Sequence, residues 1–379
     1  MSNVGHVNGS AISARPRLLM VARMHYELPL SPALTRKFDA LRERFTLRVL
    51  AAGGAAGPSD DGVFRLVGRG GRLDGLLFYL LLPGHVRRIV REFRPEAVVA
   101  QSPYEAALIR LARVRAKLIV EVHGDWRTAT RMYGSPLRRA LSPVADAIAL
   151  WGLRHADAVR SISPYTSALV REQGLEPIAE FATYSDLGRF LDSPTVPLPE
   201  QPAALFIGVL ERYKNVDGLA NAWRAAAPRV PDATLRLVGR GTQPEIPTQL
   251  LRDVPGQTEW VERLTPEEVA TALDAATCLV LPSRSEGLGR VLIEAFLRGR
   301  PAIGMAVGGI RDVIEDGVNG LLVSSDAELA EALVRVLSDR ELAARLAEGA
   351  AASAARWYAT PDDFADNLAG VVRRTLSAS

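Results

Sequence analysis

Two glutamates eight residues apart, Glu286 and Glu294, stand in the stretch PSRSEGLGRVLIEAFLRGRP (residues 282–301). Glu294 is the one polar side chain in Val291-Leu292-Ile293-Glu294-Ala295-Phe296-Leu297. A buried carboxylate without a partner is costly, so a fold that keeps one must give it something to hold. The neighbouring residues suggest what. Gly287 and Gly289 leave the backbone bare just before a helix that starts near Arg290. The amides of Leu288, Gly289 and Arg290 would point outward at the positive end of the helix dipole, a seat well suited to a phosphate. A carboxylate beside a phosphate accepts hydrogen bonds from neutral hydroxyls, those of a ribose above all. On this reading Glu294 holds a ribose diol, and Glu286 takes hydroxyls of a second sugar across the phosphates. The ordinary alternative is that Glu294 pairs with an arginine and Glu286 is a solvated loop residue. Spacing alone leaves both open.

The segments that position these residues alternate between apolar strands and helices. RLLMVAR (17–23) predicts a buried strand, SPALTRKFDALRER a helix and TLRVLAA a strand. AVVAQS (97–102), a helix over 104–114, KLIVEVHG (117–124), a long helix from about 136 to 155 and DAVRSIS follow. The proline-rich, polar LDSPTVPLPEQP (191–202) breaks the pattern, as an interdomain linker does. The alternation restarts with AALFIGVL (203–210), NVDGLANAWRAAAPR, TLRLVGR, EEVATALDAA, TCLVLPS, RVLIEAFLRG, PAIGM and GLLV. Such alternation implies parallel sheets covered on both faces, an α/β class. The expected organisation is a flexible lead (1–16), a doubly wound domain (17–190), the linker, a second doubly wound domain (203–350) and a helical tail (351–379) crossing back to the first. Ligands of open α/β sheets bind at the carboxyl ends of the strands, so two such domains facing each other make a cleft.

Length and composition bound the reading. The 379 residues exceed one ordinary core, and 48% hydrophobic with 23% charged residues fits a globular protein. A formal charge of +3 is too mild to indicate nucleic acid as a partner. The single cysteine, Cys278, excludes an intrachain disulfide and sits in the apolar run ATCLVLPS, where it reads as a buried thiol. MSNVGHVNGSAISARPR has no apolar core of a signal peptide, and LLFYLLL (76–82) is too short to span a bilayer. A cytoplasmic setting is expected.

The stretch SRSEGLGRVLIEAFLRGRPAIGMAVGGIRDVIEDGVNGLLV resembles the E-x7-E signature of the retaining GT-B glycosyltransferases of family 4. It carries both glutamates, the glycine loop, a Gly-x-Pro after the helix, and the Gly-Gly and Asp-Gly-x-x-Gly that follow. FIGVLERYKNVDGL and LRLVGRG are similar to the family's preceding strands. The resemblance covers the second domain well and the first mainly by architecture. It implies a GT-B fold: two Rossmann-like domains facing across a cleft, the acceptor on the first and a UDP- or GDP-sugar donor on the second. It implies that Glu286 contacts the donor sugar, Glu294 the ribose, and Gly287, Leu288, Gly289 and Arg290 the phosphate and sugar. It implies front-face substitution with retention, without metal or other cofactor.

A departing diphosphate needs positive charge in the transition state. GVLERYKN places Arg212 and Lys214 just after a strand; the family carries an Arg and a Lys in this loop, but here Val209 stands directly after Gly208, where an Arg is common. His123 closes KLIVEVHG, where the family places a His near the donor sugar; a satisfied surface His is the plainer reading. Asp125 and Trp126 would line the same wall. In RMHYELPLSP the family's Gly-Gly turn is absent, and His25, Tyr26 and Glu27 stand there, as acceptor contacts or plain surface. Gly208, Gly239, Arg240 and Arg263 are further donor-side candidates, and Gly308, Gly309 and Ile310 a second phosphate-facing turn, although turn chemistry alone explains the glycines. In LDGLLFYLLLPGHVRRIVREFR, the residues Leu77, Tyr79, Leu80 and Leu81 with Arg87, Arg88 and Arg91 would suit an interfacial helix for a lipid acceptor. A sheet-covering helix with a solvated basic face is the plainer reading. The acceptor is a glycan, a lipid or a small molecule. A nucleotide-sugar epimerase and a catalytically silent sugar-nucleotide binder are the alternatives; the missing G-x-G-x-x-G after the first strand disfavours an oxidoreductase.

Overall fold

The computed structural model of the chain describes residues 15–53, 57–68, 74–132, 139–192 and 194–378. Most of the expected lead 1–16 and the start of the expected helix at 136 lie outside the described residues. Two parallel sheets organise the rest. The first holds β1 (Arg17–Tyr26), β2 (Thr46–Gly53), β3 (Ser59–Asp60), β4 (Phe64–Val67), β5 (Ala97–Ala100), β6 (Lys117–Val122), β7 (Ala158–Ser161) and β8 (Ala179–Glu180), in the order β3-β4-β2-β1-β5-β6-β7-β8 with only β3 antiparallel. The second holds β9 (Ala203–Ile207), β10 (Thr234–Val238), β11 (Thr258–Val261), β12 (Cys278–Leu281), β13 (Ala302–Met305) and β14 (Gly320–Val323), in the order β11-β10-β9-β12-β13-β14. The strand order reverses beside β1 and beside β9, as in doubly wound folds.

The helices are α1 (Pro32–Arg44), α2 (Asp74–Phe93), α3 (Pro103–Leu111), α4 (Thr128–Met132), α5 (Ser142–Arg154), α6 (Pro164–Arg171), α7 (Val216–Ala226), α8 (Glu245–Asp253), α9 (Pro266–Asp274), α10 (Arg290–Leu297), α11 (Ile310–Val313), α12 (Asp326–Ser338), α13 (Arg340–Ala354) and α14 (Pro361–Ser377). The period of two along each strand divides the core between the faces. Leu19 and Val21 of β1 pack under α2, α3 and α5, whereas Leu18 and Met20 pack under α1 and α14. In the second sheet Phe206, Cys278 and Val280 meet α7 and α12, and Leu205, Leu279 and Leu281 meet α9 and α10. Burial pushes the Cys278 thiol up to about 12, so it is held as an inert thiol.

The chain crosses between the two cores twice. Phe181 and Tyr184 pack on the first, and Leu187 and Phe190 lie in the second. Asp186, between them, is held by Arg36 of α1 at 2.6 Å and by Arg189 at 2.5 Å. Later, Trp357 packs on the second core and Phe364 lies in the first. α14 opens on a capping box, Thr360 with Asp363. It then buries Phe364, Ala365, Leu368, Val371 and Val372. The proline-rich stretch after Phe190 is no free tether. Its carbonyls are taken by two buried arginines: Arg298 donates to Phe190 and Pro194, and Arg300 to Val196 and Pro197, all within 3.1 Å. Prolines keep their acceptors while lacking N–H, so guanidinium donors suit them.

Two local expectations change. β1 runs on through His25 and Tyr26 with a register shift after Ala22, so these residues belong to a strand and not to the loop. α2 covers the sheet with Phe78, Leu82, Val86 and Ile89, and Tyr79 turns inward to Glu105 at 3.4 Å. Leu76, Leu77, Leu80 and Leu81 remain exposed. Among the described residues, no helix is long and apolar enough to cross a membrane.

Candidate active site

The site is built where the loops after β9 and β12 meet. Gly208 follows β9 directly, and its carbonyl lies so close to Gly239 that a Cβ on Gly239 would overlap it. A short 3-10 turn, Arg212–Lys214, follows and is closed by the buried Asn215 at φ 55°. Asn215 can hold this left-handed backbone, which most residues resist. Its Nδ2 donates to Asp326 at 3.2 Å. Glu211 accepts from Thr242 N at 3.1 Å and Oγ1 at 2.7 Å, tying the turn to the loop after β10. Arg284 N donates to Tyr213 O at 2.7 Å, and the Arg284 guanidinium grips Asp217 and the Arg212 carbonyl. These bonds deliver Lys214 Nζ to 2.6 Å from Glu286 Oε2, in a pair whose side chains are 12% and 18% exposed. Ser283 donates to the same oxygen at 3.3 Å.

The glycine loop is clasped by backbone on two sides. A Cβ on Gly287 would overlap the carbonyl oxygen of His123, in the first domain. A Cβ on Gly308 would overlap the Glu286 carbonyl, and Gly309 N donates to that carbonyl at 2.9 Å. Gly308–Gly309 therefore braces the loop from within its own domain. Among the described residues, the polar contacts across the cleft include Ser163 Oγ to Gly287 O at 2.8 Å, Thr128 Oγ1 to Ser285 Oγ at 2.9 Å, and Tyr165 N to Asp312 Oδ2 at 2.9 Å. Gly289, at φ 79°, turns the chain into α10. The amides of Leu288, Gly289 and Arg290 have no hydrogen-bond partner among the described residues. They stand at the positive end of α10.

Glu294 lies one turn into α10, its side chain 14% exposed. Its partner is Arg290 Nε at 3.2 Å, and that arginine is 68% exposed. So mobile a partner is worth only ~0.3–0.5 kcal/mol. Burial accordingly raises the Glu294 carboxyl above its ordinary value of 4.5, against the smaller pull of Arg290 and Arg189. The arginine pairing foreseen as the ordinary alternative exists, but it does not offset the desolvation, and the carboxyl stays raised.

The other sequence candidates scatter. His123 ends β6, one-third exposed, with Nε2 3.2 Å from Glu121 Oε2 and Nδ1 3.2 Å from Thr183 Oγ1. Arg212 and Arg263 are exposed, as are His25 and Glu27. Tyr26 is corrected: it is 2% exposed, its ring set edge-on against Phe38 and Phe64, because the extended β1 carries it into the core. Trp126 is likewise core, 8% exposed, with Arg127 over its ring. Asp125 is engaged by the same Arg127 at 2.7 Å. Sequence reasoning passed over Glu121, Thr183, Ser163 and Thr128. Glu121 carried the same signal as Glu294, a carboxylate inside an apolar strand.

Two doubly wound domains with a braced glycine loop between them are the GT-B fold, and the comparisons agree. Residues 201–339 match the family described as "Glycosyl transferases group 1" and residues 31–180 the "Glycosyl transferase 4-like domain". The chain belongs to the group 1 glycosyltransferases. It is 27% identical to alpha-D-kanosaminyltransferase of Streptomyces kanamyceticus, over 92% of this chain and 94% of that protein. It is 37% identical to D-inositol 3-phosphate glycosyltransferase of Frankia alni, over 41% of this chain and 42% of that protein. In fold it matches sucrose-phosphate synthase from Thermosynechococcus elongatus (TM-score 0.76, 19% identity, 96% of this chain and all of that one). It also matches Anabaena HepE in complex with UDP-glucose (TM-score 0.68, 17% identity, 96% and 100% coverage).

Two outcomes are expected. Gly287→Ala must push the loop off the His123 carbonyl; sugar transfer should fall about 100-fold with little change in thermal unfolding. Near-wild-type transfer would show that this backbone contact is dispensable. Glu294→Gln removes the charge and keeps the shape. With a raised folded pKa, wild-type stability is fully present below 4.5 and is lost as pH rises through the elevated folded value. Ligand-free Glu294→Gln should therefore melt higher than wild type near neutral pH and equally at acid pH. A lower melting point at neutral pH would mean the carboxylate is well compensated.

Proposed function

We propose that the chain is a retaining glycosyltransferase, of the hexosyltransferase type. It moves a sugar from a UDP- or GDP-sugar to a hydroxyl acceptor by front-face substitution, without a metal ion. The observation that carries this is Glu294, a buried and poorly partnered carboxylate one turn behind three free amides. A ribose diol supplies the hydrogen-bond donors it lacks, and a diphosphate takes the amides. The names of the relatives, one a kanosaminyltransferase and one solved with UDP-glucose, support a nucleotide-sugar donor.

In the reaction the bond from the sugar's anomeric carbon to the diphosphate oxygen breaks while the acceptor oxygen bonds to the same face. The departing phosphate oxygen takes the acceptor's proton. Lys214 and the amides at the start of α10 stabilise the charge developing on the diphosphate, with Arg212 at the rim of the same turn. Glu286, fixed by Lys214 and Ser283, receives hydroxyls of the transferred sugar. Gly208, Gly239 and Arg263 border the nucleotide, and His25, Glu27 and Asp125 the acceptor. Membership of the transferase family disfavours an epimerase or a silent binder. The exposed leucines of α2 support peripheral contact with a bilayer.

Thermal-shift screening with nucleotides and nucleotide sugars tests the donor site: UDP or GDP should stabilise the wild type. Glu294→Gln should bind the same nucleotide roughly 1–3 kcal/mol more weakly, and unchanged affinity removes the ribose role. Lys214→Ala should lower kcat more than it raises donor KM, and chelator should leave turnover intact. An inverted anomeric centre in the product, read by proton NMR coupling, refutes retention. Salt-sensitive co-sedimentation with anionic liposomes, lost in Leu77→Ser/Leu81→Ser, would support the bilayer contact; its absence in the wild type removes it.

A further inference from the structure

We propose that Glu121 is the positioning residue of His123: it accepts the imidazole Nε2–H and leaves Nδ1 as an acceptor for the Thr183 hydroxyl, so that the ring is locked in one tautomer at the mouth of the donor site. The inference rests on the placement of His123 beside the donor loop.

Glu121 lies in β6 and His123 one residue beyond its end, and their side chains meet at 3.2 Å. The two carboxylate oxygens have separate donors. Oε1 accepts from Arg160 Nη1 at 2.7 Å, and Oε2 lies 3.2 Å from His123 Nε2. Arg160 is the strand neighbour of Glu121 in register. It is fully buried, donates Nη2 to the carbonyls of Phe181 at 2.6 Å and Ala182 at 3.2 Å, and stacks 3.7 Å from the Phe181 ring centroid. The guanidinium is thus fixed, and it fixes the carboxylate. Burial alone would raise the Glu121 carboxyl, but Arg160, His123 and the buried Lys37 hold it down at about 2. An ionised carboxylate only accepts. The proton between Glu121 and His123 therefore sits on Nε2. In the neutral ring Nδ1 is then an acceptor, and Thr183 Oγ1 at 3.2 Å supplies the hydroxyl. His123 meets the donor loop through its backbone, its carbonyl lying against Gly287. A ring pinned from both nitrogens keeps that backbone in place and resists the flip that would disturb it.

The test uses the full chain labelled with [15N]histidine, which contains five histidines. Two-bond 15N–1H correlation spectra report the tautomer of each ring, and His123→Gln assigns the His123 signals. The expected wild-type result is the Nε2–H tautomer. The Nδ1–H tautomer overturns the proposal without any change at Glu121. Glu121→Gln should release the tautomer to a mixture and lower kcat by about tenfold or more, with donor KM changed less than about twofold, in the anomeric assay with the donor it turns over. An unchanged tautomer in Glu121→Gln also overturns the proposal. Thr183→Val should keep Nε2–H, because Glu121 fixes it, and a switched tautomer there assigns the control to Thr183 instead. If His123→Ala transfers sugar at the wild-type rate, the placement of His123 in the reaction fails, and this is distinguishable because the tautomer readings stand on their own.

Discussion

The donor loop exists because three stretches of backbone can lie against one another without side chains between them. His123 and Gly124 come from the first domain, Glu286 and Gly287 from the loop itself, and Gly308 and Gly309 from the turn after β13. At Gly287, Gly308 and Gly309 the approach is closer than a Cβ would permit. The consequence is rigidity where rigidity serves chemistry: the Glu286 carbonyl is used by Gly309 N, the Gly287 carbonyl by Ser163, and the side chain of Glu286 by Lys214. Among the described residues, the amides of Ser285, Glu286 and Gly287 and those at the start of α10 have no hydrogen-bond partner.

Buried carboxylates in the two domains show opposite solutions to one problem. Glu121 has a fixed arginine on one oxygen and a histidine on the other, and its acidity is strengthened to about 2. Glu294 has one exposed arginine, and its acidity is weakened. Environments that push like groups apart in pKa mark a division of labour. The first carboxylate completes the folded protein. The second is left incomplete by it, and that incompleteness is what supports the proposed ribose contact.

Much of this was legible in the chain. The carboxylate inside VLIEAFL, the glycines before it and the lysine of ERYKN could be read because each breaks a local pattern: a charge in an apolar run, or bare backbone at a helix start. The two parallel sheets followed from alternation alone. The failures share a cause. Tyr26 and Trp126 were taken for cleft residues because they follow strands, but β1 continues past a register shift that has no sequence mark, and an aromatic near a strand end can turn either way. Glu121 was missed although KLIVEVHG contains it, because attention went to the histidine and the carboxylate's partner, Arg160, lies 39 residues on. The linker reads as an interdomain connection from its prolines and polar residues. Its anchoring depends on Arg298 and Arg300, more than a hundred residues later, and such pairing is set by tertiary structure.

The two crossings of the chain between the cores, at Asp186 and between Trp357 and Phe364, bear on how the halves can move. One connection would leave the domains free to swivel about it in any sense. Two connections define a line, and the motion that strains neither is rotation about that line, like a door on a pair of pins. Twisting and sideways sliding would stretch one strand or the other. Rotation about that line would lift the backbone of His123 from Gly287, and the reverse rotation would set it back in the same place.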